Sequence, residues 1–202
     1  MSLPGDFEGN LFNWLNAQGY AIPQKFTVGF GDARGNRGFS NSAGVQFSEA
    51  ERPNVEALAS RYGRRGPIDP RLQSTLSLMI HEALHQSTAQ REPGFWDTEG
   101  ADTREWEEAA VEQSARNLLP AAMKQMFGAR FNEQDYAVPT FFQQPVKAFR
   151  QLSTFGSGAK SYKDRSARLW QRQFQQGDVA TRRQMLDQAN AARAAWGQRT
   201  GR

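Results

Sequence analysis

The segment 76–86 reads LSLMIHEALHQ and holds both of the chain's two histidines, His81 and His85, with Glu82 directly after the first. Side chains four apart lie on one face of a helix, one turn above the other, so both imidazoles can offer a ring nitrogen to a single ion. Glu82 sits about 100° further round and reaches the same space without ligating. There it can hold a water and take its proton, while the ion polarises that water and a carbonyl: the chemistry of metal-assisted hydrolysis. Two randomly placed histidines would meet this spacing, with a Glu in that slot, on the order of once in a thousand chains.

The element that must carry these side chains is a helix from Arg71 to about Gln86, opened by Asp69-Pro70, since Pro is favoured in a first helical turn. Leu72, Leu76, Met79 and Ala83 form one apolar face, and Leu78, Ile80 and Leu84 spread round the rest. A helix apolar on most sides is a buried helix. His81, Glu82 and His85 then become a polar patch inside the protein, and buried polar groups need partners, which an ion supplies to both imidazoles.

A zinc site of this kind takes one more protein ligand and a water. No third histidine and no cysteine exist, so the ligand must be a carboxylate. The segment WEEAAVEQ at 106–113 lies on a predicted helix from Thr103 to Leu119, ended by Pro120. On a helical wheel Val111, Ala115, Leu118 and Leu119 share one face, and Glu108 falls on it, flanked by Glu107 and Glu112. Glu108 is the candidate ligand. Glu107, Glu112, Asp97 and Asp102 are the alternatives, and Glu112, one turn after Glu108, is a candidate hydrogen-bond acceptor for a ligand histidine.

His81-Glu82-x-x-His85, followed by an acidic helix carrying Glu-Glu-Ala-Ala-Val-Glu, resembles the gluzincin type of zincin metallopeptidase over about residues 71–120, without indicating a subfamily. The resemblance implies a Glu on the next helix as third ligand, just before a small residue; Glu108 precedes Ala109 and matches. The extended metzincin pattern is absent, because Thr88 and Arg91 stand where its downstream Gly and His would be. The implied activity is peptide-bond hydrolysis with Zn2+ held by His81, His85 and Glu108, and Glu82 as general base. A second oxyanion donor is expected from Tyr136, with Tyr162 and nearby arginines behind it. Extended substrates of such enzymes lie along an edge strand above the site, here expected from residues 25–30 or 44–47.

Elsewhere, 7–18 reads as a short helix, 25–30 and 44–47 as strands of a hairpin or two edge strands, and the glycine-rich stretch between them as a loop. That stretch is no phosphate loop, since no Gly-Lys-Ser/Thr follows. Residues 49–63 read as a surface helix interrupted near Pro53. Further helices are expected near 121–127, 145–152, 162–176 and 179–197, with a hinge at Gly156-Ser157-Gly158. The expected fold class is α+β and mostly helical: a zincin-like core over 1–146 with a small sheet packed on the motif helix, and a helical C-terminal region, 147–202, packed on that core.

Zero cysteines exclude disulfides, thiolate metal sites and a Cys nucleophile. No stretch approaches a membrane span, and residues 1–10 hold acids and no apolar run of a secretory leader, so a cytoplasmic or virion-associated location is expected. Mean hydropathy is low at -0.73, which puts part of the chain on a wet surface or against a partner. The net charge of +4 is uneven: residues 147–202 hold twelve Lys or Arg against three Asp, a balance of +9. The plain reading of that region is a helical hairpin with solvated arginines and Leu169, Phe174, Met185 and Leu186 buried. The other is a surface for nucleic acid or an acidic partner. From it comes a second function class, a structural or interaction protein such as a phage or mobile-element component with a zincin-like core. A small-molecule metal hydrolase is a third class.

Overall fold

The computed structural model describes residues 6–22, 27–32, 37–41, 44–87, 101–131 and 140–200. In chain order the elements are α1 (Phe7–Ala17), β1 (Val28–Gly31), β2 (Gly38–Asn41), β3 (Gly44–Ser48), α2 (Arg52–Arg61, entered through a 3-10 turn at Glu49–Glu51), α3 (Pro70–His85), α4 (Ala101–Phe127), α5 (Thr140–Ser157), α6 (Arg165–Gln176) and α7 (Val179–Thr200). The class is α+β and mostly helical, as the sequence predicts. The chain forms two compact units: 1–87 with 115–137, and 88–114 with 138–202. The first half of the uninterrupted helix α4 thus belongs to the second unit and its second half to the first.

The sheet belongs to the first unit and has the order β1-β3-β2. β1 runs parallel to β3, with Val28 opposite Val45 and Phe30 opposite Phe47. β2 pairs antiparallel on the other side, with Gly38 opposite Phe47 and Asn41 opposite Gly44. This corrects two expectations. The glycine-rich stretch after 25–30 contains a strand, β2, and 44–47 is the paired centre of the sheet, not an edge. Backbone pairing imposes both outcomes, because a short polar strand satisfies its N–H and C=O groups on a neighbour whatever its composition. Helix α3 packs against β2. The buried residues of this unit include Phe7, Leu11 and Leu15 of α1, Leu58 of α2, and Leu119, Met123 and Phe127 of α4. Phe7 meets Tyr62 and Phe127 at ring-centroid distances of 5.6 and 6.0 Å.

Pro120 does not end α4. It sits inside a helix that continues to Phe127, so the two helices expected at 103–119 and 121–127 are one. A proline inside a helix removes one hydrogen bond, and here the neighbours Leu118, Leu119, Ala122 and Met123 are all buried, so packing outweighs that loss. Pro145 likewise lies inside α5, and the expected hinge at Gly156–Gly158 is the last turn of that helix. Gly158 there adopts φ 64, the left-handed conformation that commonly ends a helix.

The core of the second unit is aromatic. Phe149, Trp170 and Phe174 meet at ring-centroid distances of 5.3–5.7 Å, with Ala109, Ala110, Val146, Leu152, Met185 and Ala189 around them. Phe174 and Met185 are buried as expected and Leu186 packs against the cluster, but Leu169 is 52% exposed. Nor are all the arginines solvated. Arg182 of α7 is fully buried and donates to Glu107 Oε2 at 2.8 Å, to Phe174 O at 3.0 Å and to Gln175 O at 2.8 Å. Glu107 is also at 0% exposure. The pair ties α4 to α7 and to the end of α6. Such a pair is costly to break singly, because the partner left behind is a buried uncompensated charge. Arg182→Met is therefore expected to destabilise the protein by about 3–5 kcal/mol, with a large part regained in the double variant Glu107→Leu/Arg182→Met. Urea denaturation of both variants checks this; additive losses would mean that the charges do not depend on each other.

A second ion pair, Arg37 to Glu51 at 2.6 Å, ties the start of β2 to the turn before α2, and Asn54 donates to the same carboxylate at 3.3 Å. Burial pushes the Glu51 carboxyl up, but the bonds from Arg37 and Asn54 outweigh it and leave its pKa below the ordinary value of 4.5. A lowered folded-state pKa adds stability above the unfolded value, and that stability is lost as pH falls through the folded one. Arg37→Ala is expected to lower stability at pH 7 slightly, by well under about 1 kcal/mol for so open a pair, and the difference from the parent, read by urea denaturation, should shrink as pH falls below 4.5.

Candidate metal centre

Helix α3 is capped by Asp69, whose side chain accepts from Arg71 N at 2.7 Å, with Pro70 in the first turn. Its last two turns are buried on every side: each residue from Met79 to Ser87 is inside. His81, Glu82 and His85 are among them, at 6%, 7% and 8% exposure. The end of the helix is pinned to the sheet by Gln86, whose amide donates to Ser40 Oγ of β2 and, at 3.0 Å, to Gly44 O.

The two imidazoles converge as the spacing requires. Their Nε2 atoms lie 3.2 Å apart, with ring centroids at 4.9 Å and planes at 69°. Two nitrogens bound to one tetrahedral zinc at 2.0–2.1 Å would be about 3.3–3.4 Å apart, so this separation already suits a shared ion. Among the described residues, one group of side chains could hold a metal: His81, His85 and Glu108, whose ligand atoms all lie within 4.8 Å of one another. Glu108 is half-buried on α4, two turns before the residues of that helix that belong to the first unit. Two imidazoles and one carboxylate are the donor set of hydrolytic zinc sites, which leaves a fourth position for water. The residues therefore fit zinc by chemistry and by the nitrogen–nitrogen distance.

The other carboxylates separate cleanly. Glu107 is engaged with Arg182. Glu112 is buried one turn after Glu108 and is not part of the group. Asp97, the side chain of Asp102 and the proposed oxyanion donor Tyr136 lie outside the described residues. Tyr162 belongs to the second unit, where the Arg150 guanidinium covers its ring at 4.5 Å.

The motif alone does not reveal the contact made by Gly38 on β2. A Cβ there would come within 2.9 Å of Glu82 Cγ and Oε1. The absence of a side chain at Gly38 thus lets β2 lie directly against the carboxylate of the motif. The only hint in the sequence is a glycine opening a strand, and such a glycine often marks the close approach of another group. Gly38→Ala is expected to destabilise the protein by about 1–3 kcal/mol through this overlap. Adding Glu82→Ala, which removes the atoms it strikes, should recover most of the loss. A double-mutant cycle of thermal or urea stabilities measures the coupling, and a coupling near zero would mean that β2 does not press on Glu82.

The chain matches no family model, no curated protein and no solved structure. Its functional reading therefore rests on the residues and their geometry.

Proposed function

We propose that this protein is a zinc-dependent metallopeptidase of the gluzincin type, built on a zincin-like core in which α3 packs against a small sheet. The observation that carries the reading is the meeting of His81, His85 and Glu108 within 4.8 Å, the three ligands expected from chemistry before any fold was known. Zinc, when bound, would supply Lewis-acid polarisation of a water and of the scissile carbonyl. His81 and His85 of α3 and Glu108 of α4 are the residues that would hold it.

Glu82 takes the proton of the attacking water and delivers it to the leaving amine nitrogen. Its burial beside Gly38 holds the carboxylate away from bulk solvent and limits how far it can turn. Metal binding alone would not call for a carboxylate at this position, so the presence of Glu82 favours hydrolysis over a purely structural ion. β2 pairs with β3 alone among the described residues and packs against α3, so its outer edge is where an extended peptide would add as a further strand. Tyr136 remains our choice for the second oxyanion donor.

The test is metal content followed by activity. The purified protein is expected to carry about one zinc per chain by elemental analysis. His81→Ala and Glu108→Ala should each weaken zinc affinity by more than about 100-fold, while Glu82→Gln keeps the metal and abolishes cleavage of a casein or peptide-library substrate. A native protein that takes up no zinc after dialysis against it would refute the reading. Zinc binding unchanged in Glu108→Ala would move the third ligand elsewhere.

A further inference from the structure

Residues 147–202 carry the chain's excess of positive charge, and one part of it is organised. Lys163, Arg165, Arg168 and Arg172 line a groove together with Leu169. Arg165, Arg168 and Arg172 follow one another at steps of three and four and so share a face of α6. The opposite face, with Ala167, Trp170 and Phe174, is buried in the aromatic core, so α6 has no apolar stripe left to enter a lipid bilayer. The carboxylate next to Arg165 in the chain is engaged with backbone. Asp164 Oδ2 is turned back into its own turn, where it accepts from Lys160 N and Ser161 N at 3.1 Å each. Among the described residues neither Arg165 nor Arg168 forms an ion pair.

From this geometry we infer that the α6 groove binds the phosphodiester backbone of a nucleic acid. The row of cations extends about 10 Å along the helix, at intervals of roughly 5 Å. Such a row suits a polymer whose negative charge repeats evenly, and three of the four cations are guanidiniums, whose forks grip phosphate through paired hydrogen bonds. The cationic side chains offer donors only. A phosphodiester backbone presents acceptors, whereas an acidic peptide also brings N–H groups that would find no acceptor on these side chains. Leu169, exposed among the cations, gives a sugar or base an apolar surface to lie on. Backbone contacts of this kind give affinity with little sequence preference. This inference is independent of the metal site.

The experiment is fluorescence anisotropy of a labelled 20-nucleotide single strand, and of the matching duplex, titrated with the full chain from 50 to 300 mM salt. Binding is expected at low salt and should weaken steeply as salt rises. The variant Lys163→Gln/Arg165→Gln/Arg168→Gln should lose at least tenfold in affinity at 50 mM salt, and the slope of log affinity against log salt for the single strand should shrink by about 2. Arg193→Gln/Arg199→Gln, which removes exposed charge from α7, should change affinity less than threefold. Circular dichroism establishes that each variant is folded, as expected for changes confined to exposed side chains. No binding at 50 mM salt overturns the proposal. So does an equal loss per charge removed in the two variants, which would indicate net charge acting without a site. Capture of a labelled poly-glutamate peptide by the groove, with no oligonucleotide bound, would reassign it to an acidic protein.

Discussion

A helix buried on every side cannot carry ionisable groups without giving them something to bind, and this constraint governs the first unit. The end of α3 places two imidazoles and a carboxylate in the interior, where an unpartnered polar group costs a sizeable part of a domain's net stability. Each neighbour of α3 answers that demand. Gln86 ties the helix end to β2 and to Gly44. Gly38 yields its side-chain volume to Glu82. The two imidazoles face each other at 3.2 Å.

Helix α4 meets the same problem with a different solution. Glu107 and Glu108 are consecutive, and consecutive residues on a helix point about 100° apart. Glu107 is neutralised by Arg182, which is itself saturated by two backbone carbonyls. The ion pair fixes how the first half of α4 is turned within the second unit. The adjacency that looks redundant in the sequence is a division of labour, with one carboxylate structural and its neighbour available to a metal.

The arginines divide in the same way. Composition presents the C-terminal region as uniformly basic. Arg182 has given up solvent entirely, whereas Arg165 and Arg168 stay exposed and without ion pairs among the described residues. A charge that is desolvated and matched contributes to one fold, and a row of solvated, unmatched charges contributes a field that acts on whatever approaches. Only the second kind bears on a partner.

The amino-acid sequence determined by itself the features that depend on local spacing. The i, i+4 histidines and the intervening Glu had to share a helix face. The apolar residues on most sides of Leu72–Leu84 required burial, and the lack of a third histidine or any cysteine meant that any third metal ligand had to be a carboxylate, with Glu108 favoured by its place on the wheel. Mostly helical α+β architecture was legible for the same reason, since periodicity is local. Tertiary structure alone decided what depended on residues distant in the chain. It set Glu107 apart from Glu108, because Arg182, 75 positions away, claimed the former. It carried α4 through Pro120 because the apolar neighbours of that proline were needed in the core, and it made a strand of Gly38–Asn41 because β3 had an unpaired edge. Spacing along a helix is written in the order of residues, but competition between two acids for one arginine is settled only when folding brings the three together.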